Sequence, residues 1–599
     1  YCLLFICGLY VFYFTDSMWG SSVDLAHHYS LAYRISELWA LLSENDPTLG
    51  EMIFYPRGSH IAAAVIGRFL GSTFLGIQII TLISLATLWL SAVLILNGVR
   101  QPLALYSIAA FALLVILNLL LTKLHLHGYE VVGNFFYSQL VGHSVLFLGV
   151  LFSISLEKKR GELSAIAFLV ILMLINATIH LLPAIEMLGL ICGLLFTWAF
   201  LTVEFQEGFK RRFIIAGFIG AVSIVGIVLH PSFTAMRAIS RNEGVLNLNN
   251  VQYPWGLFLL CALVLLTSIV TFFRWLRSNN RMENVAIKYL AIYGAATSVL
   301  CFLQFALTFL GQGSDYAVKK YGFGLTTVFI LQASIVLGHF SYRFIDSNKL
   351  RSIIRNGHSR GFLLIVSLVS VLYFVTPAQK YLDVSDVVSL ERRLIAISDT
   401  ILPMPDVGKN NVVIGLSGMP SIINYMFSIS QLKTIREIAV PDVLRKNQFA
   451  DFTNYSYIVS SRDNPNFGSA GCSTISRGAL SIVTPDCLEE RMNQVSDCRS
   501  MFDFTSKGVL PHRLINGFSA PEEHGRWTDG TSASFSCDNA GLPLKKLTLD
   551  ITPFIFGPVK SQRLEVRVNE TNVGELVLSS PRGQENPVVF DIPNMAETK

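Results

Sequence analysis

Asp24, His27 and His28 lie within one turn of each other in the stretch Asp16-Ser-Met-Trp-Gly-Ser-Ser-Val-Asp24-Leu-Ala-His27-His28-Tyr29. Leu25, Tyr29, Ala32, Ile35, Leu38 and Trp39 recur at helical spacing, which predicts a helix over 24–40 with both imidazoles on the face of Asp24. A carboxylate so placed is suited to taking a proton from a hydroxyl group. Two other roles stay open: Asp24 can cap the helix, and Asp-x-x-His-His can hold a divalent cation. Asp16 is the second candidate base.

Three further stretches carry binding chemistry. Phe54-Tyr-Pro-Arg-Gly-Ser-His60 reads as a turn into a helix capped by Ser59, with His60 in its first turn. His125-Leu-His127-Gly-Tyr-Glu130-Val-Val-Gly-Asn134-Phe-Phe-Tyr137-Ser-Gln139 combines imidazoles, a carboxylate and amides with aromatic rings. Rings stack on the C–H face of a pyranose while amides and carboxylates bind its hydroxyls, so the composition suits a sugar. Phe135, Phe136 and Tyr137 equally suit an aromatic belt at a membrane surface. Gly311-Gln-Gly-Ser-Asp-Tyr316-Ala-Val-Lys319-Lys320-Tyr321-Gly sets two cations beside glycines whose N–H groups a phosphate can approach. Snorkelling lysines would give the same pattern. Arg237 and Arg241 are candidates for the same anion. There is no Walker loop and no Gly-x-Ser-x-Gly elbow. Glu186, close to a helix end, is the nearest case to a charge inside an apolar run.

The elements that position these groups are membrane helices. Of 599 residues 52% are hydrophobic and 15% charged, and the mean hydropathy is +0.51, too apolar for a soluble chain of this length. Apolar runs near 2–14, 72–97, 103–121, 139–156, 163–179, 182–203, 213–229, 256–275, 286–310, 323–341 and 362–376 predict about eleven spans. The first begins at Tyr1 without a Met and is expected to be a shortened but retained helix. Alternate loops are basic: Arg100, Glu157-Lys-Lys-Arg160, Lys210-Arg-Arg212, Arg274 to Arg281, and Arg343 to Arg360. The positive-inside rule makes these cytoplasmic. Loops 15–58, 122–138, 178–181, 230–255 and 311–322 are then outside, with 24–40 as an interfacial helix. His27, His28, His60, His125, His127, His143, His180 and His230 fall in or near them, against His339 and His358 on the basic side. That asymmetry predicts a polar cavity opening outward.

After Pro377 the composition becomes that of a soluble chain, expected on the outer side. Asn411 to Ser417, Ser421 to Leu432 and Tyr457 to Ser460 read as strand, helix and strand. Leu547 to Ile551, Arg563 to Val568 and Gly574 to Leu578 alternate in period two and predict a β-sandwich. The expected divisions are 1–377 as the membrane domain, 378–499 as an α/β region and 500–599 as the sandwich. Cys472, Cys487, Cys498 and Cys537 predict two disulfides with three pairings open. The other five cysteines lie in apolar helices.

This layout resembles the GT-C superfamily of polyprenyl-phosphate-sugar-dependent glycosyltransferases, especially bacterial members that modify lipopolysaccharide, O-antigen or other surface glycans. The likeness rests on a first span, a large first outer loop with an acidic residue and an interfacial helix, further spans, and a soluble outer domain. Gly517-Phe-Ser-Ala-Pro-Glu-Glu-His-Gly-Arg-Trp-Thr-Asp-Gly530 is similar to a β-sandwich segment appended to such enzymes. The chain lacks the Asp-Asp or Glu-Asp pair of some members. The resemblance implies transfer with inversion at the outer face of the bacterial inner membrane, the C-terminal portion being periplasmic. It implies Asp24 as base with Asp16 as runner-up, and Tyr316, Lys319 and Lys320 on the lipid phosphate. His27, His28 and Glu130 would orient the acceptor or hold a divalent cation. His60, His125, His127, Asn134, Tyr137, Gln139, His180, Arg237 and Tyr321 complete the expected substrate-binding set. The partners implied are a polyprenyl-phosphate-linked sugar, a glycan or glycolipid acceptor and membrane lipid, with no nucleic acid. A flippase for lipid-linked saccharides and a non-catalytic glycan-binding membrane protein are the competing readings.

Overall fold

A computed structural model describes residues 1–593 apart from 18–21, 39–45, 47, 101, 202–208, 239–245, 247, 249–250, 279, 345–356, 376–381, 401–408, 445–454, 464–471, 488–489, 491–497, 500, 506–514, 520–524, 529, 538–543, 554, 556–559 and 580–586. The side chains of 237–238, 344, 357–359, 400, 438 and 441–442 also lie outside the described set. The chain forms two compact units, Tyr1–Pro403 with Tyr425–Arg436, and Met404–Asn424 with Glu437–Lys599.

The first unit is helical. Its described helices begin α1 (Cys2–Phe14), α2 (Val23–Leu38), α3 (Gly58–Leu70), α4 (Thr73–Asn97), α5 (Leu103–Leu117), α6 (Tyr129–Asn134) and α7 (Tyr137–Arg160). They continue as α8 (Glu162–Ala177), α9 (Leu181–Phe200), α10 (Phe209–Val228), α11 (Pro231–Ala238), α12 (Trp255–Leu276), α13 (Val285–Phe309) and α14 (Asp315–Phe344). Helices Gly357–Val375 and Val384–Thr400 follow. Eight of these are long and apolar enough to cross a membrane: α4, α5 with its extension to Thr122, α7, α9, α10, α12, α13 and α14. Among the described residues the expected eleven spans are thus corrected to eight. The other three apolar runs fall on α1, α8 and Arg360–Val375, which are shorter apolar helices. The 16 residues of α8 rise about 24 Å, less than a hydrocarbon core of about 30 Å. The apolar run continues to 179, past Ala177, where the helix stops.

Helix alternation sorts the loops to two ends. At one, Arg100 Nε meets Glu283 at 2.9 Å, and Lys158 Nζ donates to Gly98 O at 3.1 Å. There too the buried Lys288 ammonium binds Glu157 at 2.6 Å and Glu162 at 2.8 Å, and Arg360 Nε donates to Asn97 Oδ1 at 2.6 Å. The basic loops therefore lie together. At the other end Gly58 N donates to Thr178 O at 2.7 Å, Ser22 Oγ to Asn134 O at 2.7 Å, and Gln139 Nε2 to Lys320 O at 3.4 Å. Four of the loops rich in polar chemistry meet there.

Glu391, from helix Val384–Thr400, anchors this second end. Its buried carboxylate accepts from Tyr29 Oη at 2.8 Å, from Thr73 N at 3.0 Å and Phe74 N at 3.3 Å, and from Ser72 Oγ. The two amides are first-turn donors of α4, where no intrahelical acceptor exists and a negative charge is favoured. Glu391→Ala leaves a phenol and two amides buried without their acceptor. The expected cost is roughly 3 kcal/mol, read as a lowered midpoint of denaturant unfolding in detergent; an unchanged midpoint would refute the anchoring role.

In the second unit, β1 (Asn410–Val413) and β2 (Tyr455–Ser461) are parallel. Helix Ser421–Ser430 lies between them in sequence, the strand, helix and strand expected. β4 (Leu480–Val483) and β3 (Ser473–Arg477) extend the sheet antiparallel, in the order β1-β2-β4-β3. Among the described residues beyond it are three two-stranded ladders: β5 (Ile515–Asn516) with β6 (Ser534–Phe535), β7 (Lys546–Leu549) with β10 (Val588–Asp591), and β8 (Gln562–Val568) with β9 (Thr571–Leu578). Alternation located these strands, but they form small sheets where a sandwich was expected. Asn569 and Glu570, both at positive φ, turn the β8–β9 hairpin. The disulfides are Cys472–Cys487 and Cys498–Cys537.

Candidate functional site

Asp24 occupies the first turn of α2. Leu25 N bonds Ser22 O, so the helix starts before Asp24, and the carboxylate faces the partly positive helix N-terminus without being the cap residue. Burial raises its carboxyl from the ordinary 3.8 to about 6, against the pull of the Lys320 cation; Glu51 adds to the rise and Arg436 opposes it. Asp24 is thus a carboxyl group poised near neutrality, as a general base requires.

Lys320, in the second turn of α14, holds its ammonium 4.4 Å from the Tyr316 ring centroid and 5.0 Å from that of Phe136. Aromatic faces attract a cation without neutralising it. Lys319, about 100° further round the helix, lies over the Tyr253 ring at 4.8 Å, and Tyr253 Oη donates to Asp315 at 2.6 Å. The two lysines thus diverge, and Lys320 is the one that acts on Asp24. Tyr321 is buried in α14.

The histidines line the same end. His28 Nδ1 and His60 Nε2 are 2.9 Å apart, with rings stacked at 5.1 Å. One donates and the other accepts, which requires the acceptor ring to be neutral. Burial drives His60 down to about 3 and, with the His60 charge next in effect, His28 well below its ordinary value. His27 Nε2 lies 3.0 Å from Tyr425 Oη, and burial, with Arg436 beside it, lowers it to about 3. Tyr137 Oη donates to Ser59 O at 2.7 Å with its ring against His60. His180 caps α9, its Nδ1 accepting from Leu182 N at 3.2 Å, and its ring faces Tyr55. Gln139 is buried, with Oε1 lacking a hydrogen-bond partner, and Asn134 binds Ser22 through its carbonyl. His125 stacks on Tyr129 at 4.3 Å. Asp16, the other candidate base, accepts from Ser385 N at 2.9 Å, which places it at the start of helix Val384–Thr400. The Arg237 side chain and Arg241 lie outside the described residues.

A second cluster lies deeper. His127 Nδ1 donates to Glu130 Oε1 at 3.0 Å, and Gly128 N donates to Glu130 Oε2 at 2.6 Å from a backbone at φ +111° that glycine tolerates. Burial would raise Glu130, but the charge and hydrogen bond of His127 outweigh it and hold it below its ordinary value. His143 Nε2 lies 3.2 Å from Glu186 Oε2, which also accepts from Tyr293 Oη at 2.8 Å. The rings of His127 and His143 are 4.3 Å apart. Among the described residues, His127, Glu130 and His143 are the group whose ligand atoms, within 4.8 Å of one another, could share a metal ion. Near Asp24, the other place where the sequence leaves a cation open, His27 turns Nε2 to Tyr425 and His28 turns Nδ1 to His60.

Sequence reasoning singled out Asp24 and Lys320 but passed over Glu51, Tyr55, Tyr425 and Arg436. Glu51 and Tyr55 lie in the large loop already under suspicion. Tyr425 and Arg436 are some 400 residues along the chain in a stretch read as soluble, and no local pattern marks them. Comparison with models of known protein families and with curated proteins finds no match for the chain.

Proposed function

We propose that the chain is a GT-C-type membrane glycosyltransferase that moves a sugar from a polyprenyl-phosphate donor to a surface glycan or lipid acceptor. The observation that carries this reading is the pair formed by Asp24, in the first turn of α2 with its carboxyl raised by burial to about 6, and the Lys320 cation, whose charge acts on it. A base held near neutrality beside a cation cradled by aromatic rings is what this displacement needs.

In the reaction, the donor phosphate lies on Lys320, with Tyr316 and Phe136 against the lipid or sugar. Asp24 takes the proton of an acceptor hydroxyl as that oxygen bonds to the anomeric carbon. The bond from the anomeric carbon to the phosphate oxygen breaks with inversion, and polyprenyl phosphate leaves as a stable anion. A general acid is unnecessary for such a leaving group, unlike the alkoxide released by a glycosidase. The neutral pair His28 and His60, with Tyr55 and Tyr137, offers donors, acceptors and ring faces for sugar hydroxyls and C–H surfaces.

The reading includes location in the bacterial inner membrane with the C-terminal portion in the periplasm. The positive-inside distribution supports it, as do two disulfides in the second unit, which belong to an oxidising compartment.

Purified protein in lipid nanodiscs, given a radiolabelled polyprenyl-phosphate hexose and a membrane-glycan acceptor fraction, should form labelled acceptor with an inverted anomeric bond. Movement of the labelled lipid between leaflets of proteoliposomes without any transfer would instead identify a flippase.

A further inference from the structure

The network around His127 has no part in the proposed displacement, yet it concentrates polar atoms where a helix bundle can least hold them unmatched. His127 and Glu130 are 0% exposed, and His143 and Glu186 1%. They come from the loop before α6, from α6, and from spans α7 and α9. Three side-chain atoms here have no hydrogen-bond partner: His127 Nε2, His143 Nδ1 and Glu186 Oε1. Leaving any one of them buried and unmatched costs on the order of 1–3 kcal/mol, and ionisable groups inside a membrane bundle are rarely kept without use.

Two of these atoms converge. A Cβ built on Gly324 of α14 would lie 3.7 Å from both Glu186 Oε1 and His127 Nε2. The absence of a side chain at 324 thus preserves a space faced by a carboxylate oxygen and an imidazole nitrogen. With Nδ1–H donated to Glu130, the free Nε2 of His127 carries a lone pair, the arrangement in which a carboxylate orients a histidine toward a metal.

We propose that this cluster binds one divalent transition-metal ion of the zinc class, through His127 Nε2, His143 and a carboxylate oxygen of Glu186, with Glu130 on Nδ1–H orienting His127. Two imidazoles and a carboxylate are an N/O set that suits zinc and is poor for calcium or magnesium. His127, Glu130 and His143 already bring their ligand atoms within 4.8 Å of one another. The ion would tie the 123–136 loop to α7 and α9, and so fix the loop behind Phe136 and Lys320. The inference does not depend on the transferase reading, because its test uses neither donor nor acceptor.

Full-length protein carrying a tag free of histidine is stripped with chelator, dialysed against Zn²⁺ and assayed for bound metal by mass spectrometry, with thermal unfolding followed in parallel. About one Zn²⁺ per chain and a raised Tm are expected. Co²⁺ in its place should give the d–d absorption of a four-coordinate site, lost in His143→Gln. Glu130→Gln should weaken Zn²⁺ binding by about 10–100-fold, and Gly324→Ala, which leaves every ligand in place, should weaken it by filling the space. Protein that takes up no Zn²⁺ and gains no stability overturns the proposal. So does uptake that survives His143→Gln and Gly324→Ala but is lost in His28→Gln, which would put the ion beside Asp24.

Discussion

Asp24→Asn is expected to lower the rate of sugar transfer about 1,000-fold, the usual range for loss of a positioned base, while leaving the protein folded. The reason for expecting both is the same burial. Lifting the carboxyl from 3.8 to about 6 means that holding it ionised at pH 8 costs the folded state about 3 kcal/mol. That cost is absent below pH 4, where the group is protonated folded or unfolded, and complete above pH 6. Wild-type stability should therefore fall as pH rises through this window, and the Asn variant should lose that dependence. In the wild type, kcat/KM should rise with unit slope up to about pH 6 and then level off. A variant that transfers sugar at wild-type rate, or a wild-type rate flat from pH 4 to 8, would remove Asp24 as the base. Asp16→Asn is the control: its carboxylate bonds the Ser385 amide, and its loss should weaken the start of that helix with little effect on kcat.

The membrane unit could be read from the sequence because its signals are long and repetitive. Apolar runs located all eight long spans, and charge alternation separated the loops into two sets that the ion pair Arg100–Glu283 and the contact Gly58–Thr178 place at opposite ends. Span number was overestimated because hydropathy counts apolar residues, not the length of continuous helix, and α8 breaks at Ala177. Asp24 and Lys320 stood out by type and by loop. Their mutual influence did not, since they are almost 300 residues apart and depend on the packing of α2 against the rest of the bundle. Divergence of Lys319 from Lys320 follows from helix geometry once 315–344 is known to be helical from its first residue; hydropathy starts that span only at 323, beyond both lysines. The His127 cluster was half seen: its histidines were counted, but Glu186 was judged by its place near a helix end, whereas its partners His143 and Tyr293 come from two other spans.

Lys320→Met is expected to act twice, and the two effects separate a donor-binding cation from a merely structural one. Removing the ammonium leaves a lipid phosphate without its closest counter-charge in a partly desolvated place, where such a pair contributes about 3 kcal/mol, so the KM for donor should rise on the order of 100-fold. Lys320 is also the leading charge that holds down the Asp24 carboxyl. Without it the carboxyl climbs above 6, and the acid limb of the pH–rate profile should move to higher pH in the same variant. Methionine keeps the length and the contact with Tyr316 and Phe136, so packing loss alone would change neither the profile nor the donor KM selectively. Lys319→Met should do less on both counts, because its ammonium lies over Tyr253. If Lys320→Met raises donor KM while the acid limb stays in place, the cation binds substrate but does not couple to the base; if the limb shifts and donor KM does not, Lys320 tunes Asp24 and the phosphate is held elsewhere.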